Sequence, residues 1–245
     1  MRIDLSDKIV LVTGAGSGIG AACARSAGES GAFVWVNDLR FETAHRTAAE
    51  LGRAQTLPGD VAEPGDWLDP VDRLDAIVHC AGYDLYTPVG QADMAEFDRL
   101  HQVMVRGPFD LTQRLLPKMN AGGCVLFIAS VHALATEPGT SAYAAAKGAQ
   151  ISMIRSMAQD LGPAKIRVVA VSPGYVDTPL LGKWIESTPD PAATRAHAEN
   201  LHPLGRIGRP EDVASLVTFL ISPMAEFING TNVVIDGGLT AQLYR

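Results

Sequence analysis

Basic side chains and cysteines are both in short supply in this chain of 245 residues, and long hydrophobic runs are missing. Twenty lysines and arginines face 27 acids, a net charge of -7, so we expect no cationic face for nucleic acid or anionic lipid. Cys23, Cys80 and Cys124 are widely spaced in apolar surroundings, which predicts buried, reduced thiols in a cytoplasmic protein. No apolar run approaches membrane-spanning length, and the first residues show no signal-peptide pattern.

Short apolar segments alternate with amphipathic ones along the whole chain. Six runs rich in valine and isoleucine lack polar alternation, as strands buried on both faces do: 8–12, 33–37, 76–79, 124–128, 167–171 and 233–235. Helical patterns occupy 18–30, 42–51, 94–119, 141–161 and 210–220. This alternation predicts a single α/β domain over residues 1–245, with a doubly wound, Rossmann-like parallel sheet and helices on both faces.

Two segments depart from the alternation. Residues 60–75 contain two prolines, so any helix there is short. Residues 178–202 are polar, contain three prolines and are long for a loop in a compact domain. We expect this second segment to form a lid or to bind substrate.

A glycine-rich turn joins the first predicted strand to the first predicted helix. It has the spacing T-G-x-x-x-G-x-G, with Gly14, Gly18 and Gly20, and departs from strict G-x-G-x-x-G because Ile19 occupies the last glycine position. Such a turn alone can be purely structural. Between a first strand and a first helix it favours a dinucleotide site, since the backbone can approach a pyrophosphate at the helix N-terminus.

The second predicted strand is followed directly by Asp38, eighteen residues after Gly20. A carboxylate there accepts hydrogen bonds from adenosine ribose hydroxyls and repels a 2′-phosphate. No basic residue lies among residues 15–17 to attract that phosphate, although Arg40 is close enough in sequence to offset part of the repulsion. The pattern therefore favours NAD over NADP.

Tyr143 and Lys147 lie four residues apart, on one face of a predicted helix. A free tyrosine has a pKa of about 10, too high for efficient proton transfer at neutral pH. The lysine ammonium, together with a nicotinamide's positive charge, could lower it by roughly 3 units, which needs about 4 kcal/mol of differential stabilisation. Tyr-x-x-x-Lys alone is common and also fits an exposed pair, but Ser130 ends a predicted strand thirteen residues earlier, at the ligand-binding edge of such sheets.

Together these residues resemble the short-chain dehydrogenase/reductase family in its short, single-domain form. The resemblance also includes Pro173-Gly174 and the Ile-Asp-Gly-Gly run at 235–238. It implies that Tyr143 exchanges a proton with the substrate oxygen, that Ser130 orients this oxygen, and that Lys147 lowers the tyrosine pKa and binds the nicotinamide ribose. The implied cofactor-binding set is Gly14, Ser17, Gly18, Ile19, Gly20, Asp38, Asp60, Val61, Ala81, Gly82, Tyr143, Lys147, Pro173, Gly174, Val176 and Thr178. Within it, Asp60 and Val61 would flank the adenine, and Val176 and Thr178 would fix the carboxamide.

Two departures from the family pattern bear on the chemistry. His79 and Cys80 replace two asparagines, and His79 is interpreted as a core histidine satisfied by the backbone rather than a ligand or acid/base. Met104 replaces the family's frequent catalytic asparagine, whose carbonyl is thought to hold a water that connects to the lysine. Pro108 lacks the N–H that would pair the carbonyl of Met104, so we expect a helix kink and a water at that carbonyl. The alternative is that Pro108 only bends the helix around the core.

The sequence thus predicts an oxidoreductase that moves a hydride between NAD(H) and a small alcohol or ketone, with a polyol, a sugar or a cyclic ketone as the candidate substrates. The alternatives are an NADPH-dependent ketoacyl reductase and a catalytically impaired, dinucleotide-binding regulatory protein. Because the patterns at 94–119 and 141–161 are apolar around much of their circumference, we expect a homo-oligomer, with a tetramer favoured. We expect no metal, nucleic acid or membrane partner. The candidate substrate residues are Tyr83, Asp84, His132, Glu137, Tyr175 and Trp184.

Overall fold

Seven parallel strands form the central sheet of the computed structural model, which describes residues 3–242. The strands are β1 (Ile9–Val12), β2 (Phe33–Asp38), β3 (Ala54–Pro58), β4 (Leu74–His79), β5 (Met119–Ile128), β6 (Arg167–Pro173) and β7 (Asn232–Ile235). Their order in the sheet is β3-β2-β1-β4-β5-β6-β7. The strand order reverses between β1 and β4, and this is where doubly wound sheets form a ligand crevice.

Helices cover both faces of the sheet. They are α1 (Gly18–Glu29), α2 (Phe41–Ala49), α3 (Met94–His101), α4 (Gly107–Leu115), α5 (Ser141–Leu161), α6 (Pro179–Glu186), α7 (Pro191–Asn200) and α8 (Pro210–Ile221). Val10 and Val12 of β1 pack with α1, α2 and α8, whereas Leu11 packs with α4 on the opposite face. A strand covered on both faces needs apolar residues at successive positions, so the predicted Rossmann-like α/β fold is confirmed.

Strand β3 is absent from the sequence-based prediction. It lies at the edge of the sheet, where it pairs only with β2. Leu57 is its one fully buried side chain, and the neighbouring Gln55 and Pro58 are exposed. An edge strand needs little apolar surface, so it lacks the valine-rich signal that identifies the central strands.

The helix predicted over 94–119 is divided into three parts. A π-helical turn, Gln102–Arg106, separates α3 from α4, and α4 ends at Leu115. The backbone then enters β5 at Met119, so the final residues of the predicted helix belong to the sheet. As expected, the proline-containing segment 60–75 holds only one short 3₁₀ turn, Asp66–Leu68.

The polar segment 178–202 folds into the two helices α6 and α7. Thr178 caps α6, because its hydroxyl accepts a hydrogen bond from the backbone N–H of Leu181. Thr178 also packs beside Gly18 of the glycine turn, so closely that a Cβ on Gly18 would lie 3.3 Å from the threonine side chain. The predicted lid therefore begins in contact with the turn that starts α1.

Candidate active site

Thr13 ties together the ends of β1 and β4, the two strands that flank the reversal of strand order. Its hydroxyl accepts hydrogen bonds from the backbone N–H groups of Cys80 at 3.1 Å and Ala81 at 3.2 Å. These contacts satisfy the backbone after β4 and hold the glycine turn against it. The result is a cleft at the carboxyl edge of the sheet, as a dinucleotide-binding fold requires.

The glycine turn lacks side chains where the cleft is narrow. Gly14 has a φ of +62°, and a Cβ there would lie 2.8 Å from the Cα of Ala81. A Cβ on Gly20 would collide with the carbonyl oxygen of Gly14. The first turn of α1 carries no acidic residue, so its N-terminal amides favour an anion. These residues fit the pyrophosphate of a dinucleotide.

Asp38 extends from the end of β2 to the same turn. Its carboxylate accepts hydrogen bonds from the backbone N–H of Gly16 at 3.0 Å, from the hydroxyl of Thr43 at 2.8 Å and from the backbone N–H of Arg40 at 3.2 Å. Three neutral donors therefore fix the position of this carboxylate. The carboxylate lines the cleft, where it can meet the adenosine ribose of a bound dinucleotide.

Tyr143 and Ser130 are brought together by α5 and the end of β5. The hydroxyl of Ser130 is close enough to Tyr143 to act on its pKa, and it accepts a hydrogen bond from the backbone N–H of His132 at 3.2 Å. Burial raises the pKa of Tyr143 above its ordinary value, the nearby Asp84 raises it further, and the Ser130 hydroxyl opposes these effects. The expected depression of this pKa is therefore absent from the protein alone.

Lys147 lies one turn after Tyr143 and is buried. Its ammonium donates to the carbonyl of Ile128 at 2.6 Å and lies 5.6 Å from the centre of the Tyr143 ring. Burial lowers the pKa of Lys147 to about 8, because the charged form loses hydration. The ammonium is thus predominantly charged at neutral pH and close to the phenol that it is predicted to assist.

The backbone at Met104 differs from the expected arrangement. The N–H of Gly107 reaches back to the carbonyl of Gln102, which defines the π-helical turn, and Pro108 has no N–H for Met104. The predicted helix distortion is therefore present. The expectation that a water takes the freed carbonyl is wrong, because the side-chain amide of Gln150 donates to it at 2.7 Å.

His79 is confirmed as a core residue, although its partner differs from the one expected. Its Nε2 is 2.8 Å from the hydroxyl of Thr112, and this hydroxyl donates to the carbonyl of Pro108 at 2.8 Å. The imidazole therefore donates to the side chain of Thr112 rather than to the backbone. Burial lowers the pKa of His79 to about 3, so it stays neutral and performs no acid/base chemistry at physiological pH.

Three aromatic rings form the outer wall of the cleft. Trp184 of α6 stacks against Tyr86 on one side, with 5.8 Å between ring centres, and against Tyr175 on the other, at 6.0 Å. The carboxylate of Glu137 accepts hydrogen bonds from both tyrosine hydroxyls, at 3.0 Å from Tyr86 and 3.2 Å from Tyr175. We call Tyr86, Glu137, Tyr175 and Trp184 the aromatic clasp, because it joins α6 to the loops that follow β4, β5 and β6.

Two polar side chains lie inside this wall. The ring of His132 is edge-on to Tyr143, with 5.7 Å between ring centres, and burial lowers the pKa of its imidazole. Burial raises the pKa of Asp84, whose charge acts on both His132 and Tyr143. The cleft therefore places an ionisable carboxyl group close to the phenol of Tyr143.

The structure brings most of the predicted site residues into one cleft. The residues that line it are Gly14, Ser17, Gly18, Ile19, Gly20, Asp38, Gly82, Tyr83, Asp84, Ser130, His132, Tyr143, Lys147, Pro173, Gly174, Tyr175, Val176, Thr178 and Trp184. Four predicted residues lie outside this lining: Asp60, Val61, Ala81 and Glu137. The carboxylate of Asp60 is paired with Arg99. Glu137 contacts the aromatic wall of the cleft, where it accepts a hydrogen bond from the hydroxyl of Tyr86.

Sequence reasoning missed Gln150 and Tyr86. Gln150 does leave a signal, a polar residue on the apolar face of α5 where Ile151 and Ile154 are buried beside it. Tyr86 leaves none, since it lies in a loop with no periodic pattern. Within residues 3–242 no group of histidine, cysteine and acidic side chains could hold a metal ion, and no helix is long and apolar enough to cross a bilayer.

Comparison with known proteins identifies the family. The model described as enoyl-(acyl carrier protein) reductase matches residues 14–240. The chain belongs to the short-chain dehydrogenase/reductase family. It is 35% identical to a cyclopentanol dehydrogenase of Comamonas sp., over 97% of this chain and 98% of that one. It is 34% identical to a meso-2,3-butanediol dehydrogenase of Serratia marcescens, over 98% and 97%.

A solved structure agrees with the assignment. The angucycline C-6 ketoreductase LanV with bound NADP superposes with a TM-score of 0.89 at 28% identity, covering 99% of each chain. The relatives named above are dehydrogenases of alcohols, and such enzymes act on CH–OH and C=O groups. The chain is therefore an oxidoreductase of that class. The relatives leave the choice between NAD and NADP open, and that choice depends on residues of this chain.

Proposed function

We propose that this protein is an NAD(H)-dependent dehydrogenase that interconverts a small secondary alcohol and its ketone. The observation that carries the cofactor choice is the carboxylate of Asp38, held on the backbone N–H of Gly16. A 2′-phosphate at this position would meet a fixed negative charge, whereas a ribose hydroxyl would find an acceptor. The uncharged residues Ala15 and Ser17 offer no compensating cation in the turn.

The cofactor, when bound, supplies the hydride acceptor or donor. The turn residues Gly14, Gly18 and Gly20 would hold its pyrophosphate, and Asp38 its adenosine ribose. On the opposite side of the cleft, Ser130 donates to the substrate oxygen and orients it. Tyr143 takes the alcohol proton during oxidation and returns it during reduction, while the ammonium of Lys147 stabilises the phenolate.

Asp84 supports a proposal about substrate class. It lines the cleft, and none of the described side chains donates a hydrogen bond to its carboxyl group. Among the described residues, the one donor to this partly buried carboxylate is its own backbone N–H, and a substrate can supply a further donor. We therefore favour an alcohol with a second hydroxyl close to the reacting carbon, a class that includes vicinal diols and hydroxylated rings. The butanediol dehydrogenase relative acts on such a compound by its name.

Two other functions stay as alternatives. An NADPH-dependent ketoacyl reductase needs an attraction for the 2′-phosphate, which Asp38 opposes. A regulatory dinucleotide-binding protein has no physical need for Ser130, Tyr143 and Lys147 to meet in one cleft, as they do here.

Steady-state kinetics with both cofactors test the proposal. The substrates compared are 2-butanol, butane-2,3-diol, cyclopentanol and a β-ketoacyl thioester. We expect NAD-linked oxidation, with kcat/KM higher for the diol than for the mono-alcohol and the difference reduced in Asp84→Asn. NADPH-linked reduction of the thioester alone would identify a ketoacyl reductase, and NAD binding without turnover of any compound would favour the regulatory protein.

We further propose a homotetramer in the cytoplasm, in which residues 178–202 act as a lid. Phe109 of α4 is 49% exposed, and the exposed side chains of Ala145 and Ser152 on α5 are small. All three cysteines are free thiols, as a reducing compartment allows. Light scattering at micromolar concentration checks the assembly, and a monomer would contradict it.

A further inference from the structure

Gln150 is a buried polar residue without a role in the chemistry proposed above. It is 1% exposed and lies three residues after Lys147, on the same face of α5. A buried amide is costly unless both of its ends are hydrogen-bonded. Both ends are paired here, because Oε1 accepts from the ammonium of Lys147 at 3.4 Å and Nε2 donates to the carbonyl of Met104 at 2.7 Å.

The orientation of this amide is fixed by its partners. The ammonium of Lys147 can only donate, and the carbonyl of Met104 can only accept. Turning the amide around would place two donors together at one end and two acceptors at the other. The connection from Lys147 through Gln150 to Met104 therefore has a single chemically consistent arrangement.

The carbonyl of Met104 depends on this amide for a partner. In a regular helix it would accept from the N–H of residue 108, but Pro108 has none, and the N–H of Gly107 is used by Gln102. Met104 is fully buried, so its carbonyl needs another donor. Gln150 provides it, and one side chain thus serves both the distorted backbone and the lysine.

We propose that Gln150 is a positioning residue for Lys147, which it anchors to the π-helical turn at Met104 and holds charged beside Tyr143. Of the three ammonium hydrogens, one is held by the Ile128 carbonyl and one by Gln150, which leaves the third for a ligand in the cleft. An amide does not titrate between pH 5 and 10, so this connection holds the lysine without carrying a proton toward Met104. The kinetic consequences rest on the proposed dehydrogenase function, whereas the effect on Lys147 itself does not.

Two substitutions separate the two contacts of Gln150. Gln150→Met keeps the volume and removes both hydrogen bonds. Gln150→Glu also loses the donation to Met104, but its carboxylate still accepts from Lys147. A purely structural role predicts similar consequences for both variants, because both leave the Met104 carbonyl without its donor.

The ionisation of Lys147 can be followed directly in the protein without cofactor. The chain has five lysines, so 13Cε-lysine labelling gives few signals, and Lys147→Arg identifies the one of interest. We expect Gln150→Met to lower the pKa of Lys147 by roughly half a unit or more, because a partner of the charged form is lost. Gln150→Glu should raise it, since a carboxylate stabilises the ammonium more than an amide does.

The pH profile of alcohol oxidation provides a second measurement. A less charged Lys147 stabilises the phenolate of Tyr143 less, so in Gln150→Met the rising limb moves to higher pH. We expect kcat at pH 7.5 to fall by about threefold, as a half-unit shift allows, with the KM for the alcohol within about twofold of the wild-type value. This pattern points to the proton-transfer step rather than to substrate binding.

A double variant removes the structural contribution. Pro108→Ala restores an N–H that can pair the carbonyl of Met104, so Pro108→Ala/Gln150→Met should regain thermal stability relative to Gln150→Met. Lys147 would still lack its acceptor, and its lowered pKa and the shifted pH profile should persist. Thr112→Val serves as a control: it removes another buried hydrogen bond of α4 and should lower the melting temperature without moving the pKa of Lys147.

Three results would overturn the proposal. The first is a Lys147 pKa that moves in the same direction, or stays unchanged, in Gln150→Met and Gln150→Glu. The second is a double variant that recovers the wild-type Lys147 pKa and pH profile together with stability. The third is a wild-type pH profile in a folded Gln150→Met. If Gln150→Met does not fold, the Lys147 pKa values of Gln150→Glu and of the double variant test the proposal. This titration needs no catalytic turnover, so it also tests the proposal in a protein that oxidises no alcohol.

Discussion

The carboxylate of Asp38 and the backbone N–H of Gly16 are hydrogen-bonded at 3.0 Å, so a negative charge is fixed at the glycine turn. We expect kcat/KM to favour NAD over NADP by at least about tenfold, which corresponds to roughly 1.4 kcal/mol. Asp38→Ala should narrow the difference, because the repulsion of a 2′-phosphate is lost. Steady-state kinetics with both cofactors measure this, and equal use of NAD and NADP by the wild-type protein would contradict it.

Arg40 supplies a matched control for the cofactor prediction. Its side chain is exposed, and no described residue pairs with its guanidinium. Once Asp38 is replaced, this arginine is free to attract the phosphate. The kcat/KM for NADP should therefore be lower in Asp38→Ala/Arg40→Ala than in Asp38→Ala. Equal values would show that Arg40 does not contribute to NADP binding.

Replacing Tyr143 separates proton transfer from cofactor binding. Tyr143→Phe keeps the ring but removes the hydroxyl on which Ser130 acts. We expect turnover to fall by roughly a hundredfold or more, while the dissociation constant of NAD, measured by fluorescence titration, changes little. Lys147→Ala should impair both, because its ammonium serves the phenol and the ribose. Retention of more than about a tenth of the turnover by Tyr143→Phe would show that another group carries the proton.

The aromatic clasp should control substrate binding through Glu137, although Glu137 does not line the cleft. Glu137→Leu removes the acceptor of both tyrosine hydroxyls, so the wall formed with Trp184 loosens. We expect the KM for the alcohol to rise by about fivefold or more, with NAD affinity nearly unchanged. Tyr86→Phe should raise KM less, since it removes one of the two bonds.

A double-mutant cycle checks that these residues act together. In the background of Glu137→Leu, Tyr86→Phe should have almost no further effect, because its hydroxyl has already lost its partner. Additive effects on KM would mean that Glu137 and Tyr86 act independently, and the clasp would then have no role as a unit.

Acid should destabilise the protein partly through His79. The folded-state pKa of about 3 lies below the ordinary value of 6.5, so the unfolded chain binds the proton first as the pH falls. Between pH 7 and pH 5 this contributes a loss of about 2 kcal/mol in the free energy of unfolding. His79→Gln keeps a donor for Thr112 but does not titrate. Denaturant unfolding at both pH values should show a smaller loss for His79→Gln, and equal losses would be inconsistent with a buried neutral imidazole.

The sequence predicts the parts of the fold that depend on local pattern. The valine-rich central strands and the glycine turn are correctly identified, because burial on both faces and close backbone approach leave distinct residue choices. Strand β3 is missed because it lies at the edge of the sheet, where Leu57 is the one residue of the strand buried in the core. Pro108 correctly signals a distorted helix, but sequence spacing gives no indication that Gln150, 46 residues beyond Met104, supplies the missing donor.

The pKa values at the site were less predictable from the sequence than the identity of the residues that form it. The spacing of Tyr143 and Lys147 predicts that the two side chains are neighbours, and the ammonium lies 5.6 Å from the centre of the tyrosine ring. Desolvation, however, is set by every element packed around the two groups, and it moves both pKa values toward the neutral forms. The sequence alone does not give the extent of this desolvation, because burial is a property of the assembled fold.

The contact between Thr178 and Gly18 has a thermodynamic consequence. Thr178 starts the helix that carries Trp184, and Gly18 belongs to the turn proposed to hold the pyrophosphate, so one threonine touches both ligand regions. If dinucleotide binding changes the stability of this helix, the same change in free energy alters the affinity of the protein for the alcohol. Linkage is reciprocal, so the alcohol must change the dissociation constant of the dinucleotide by the same factor.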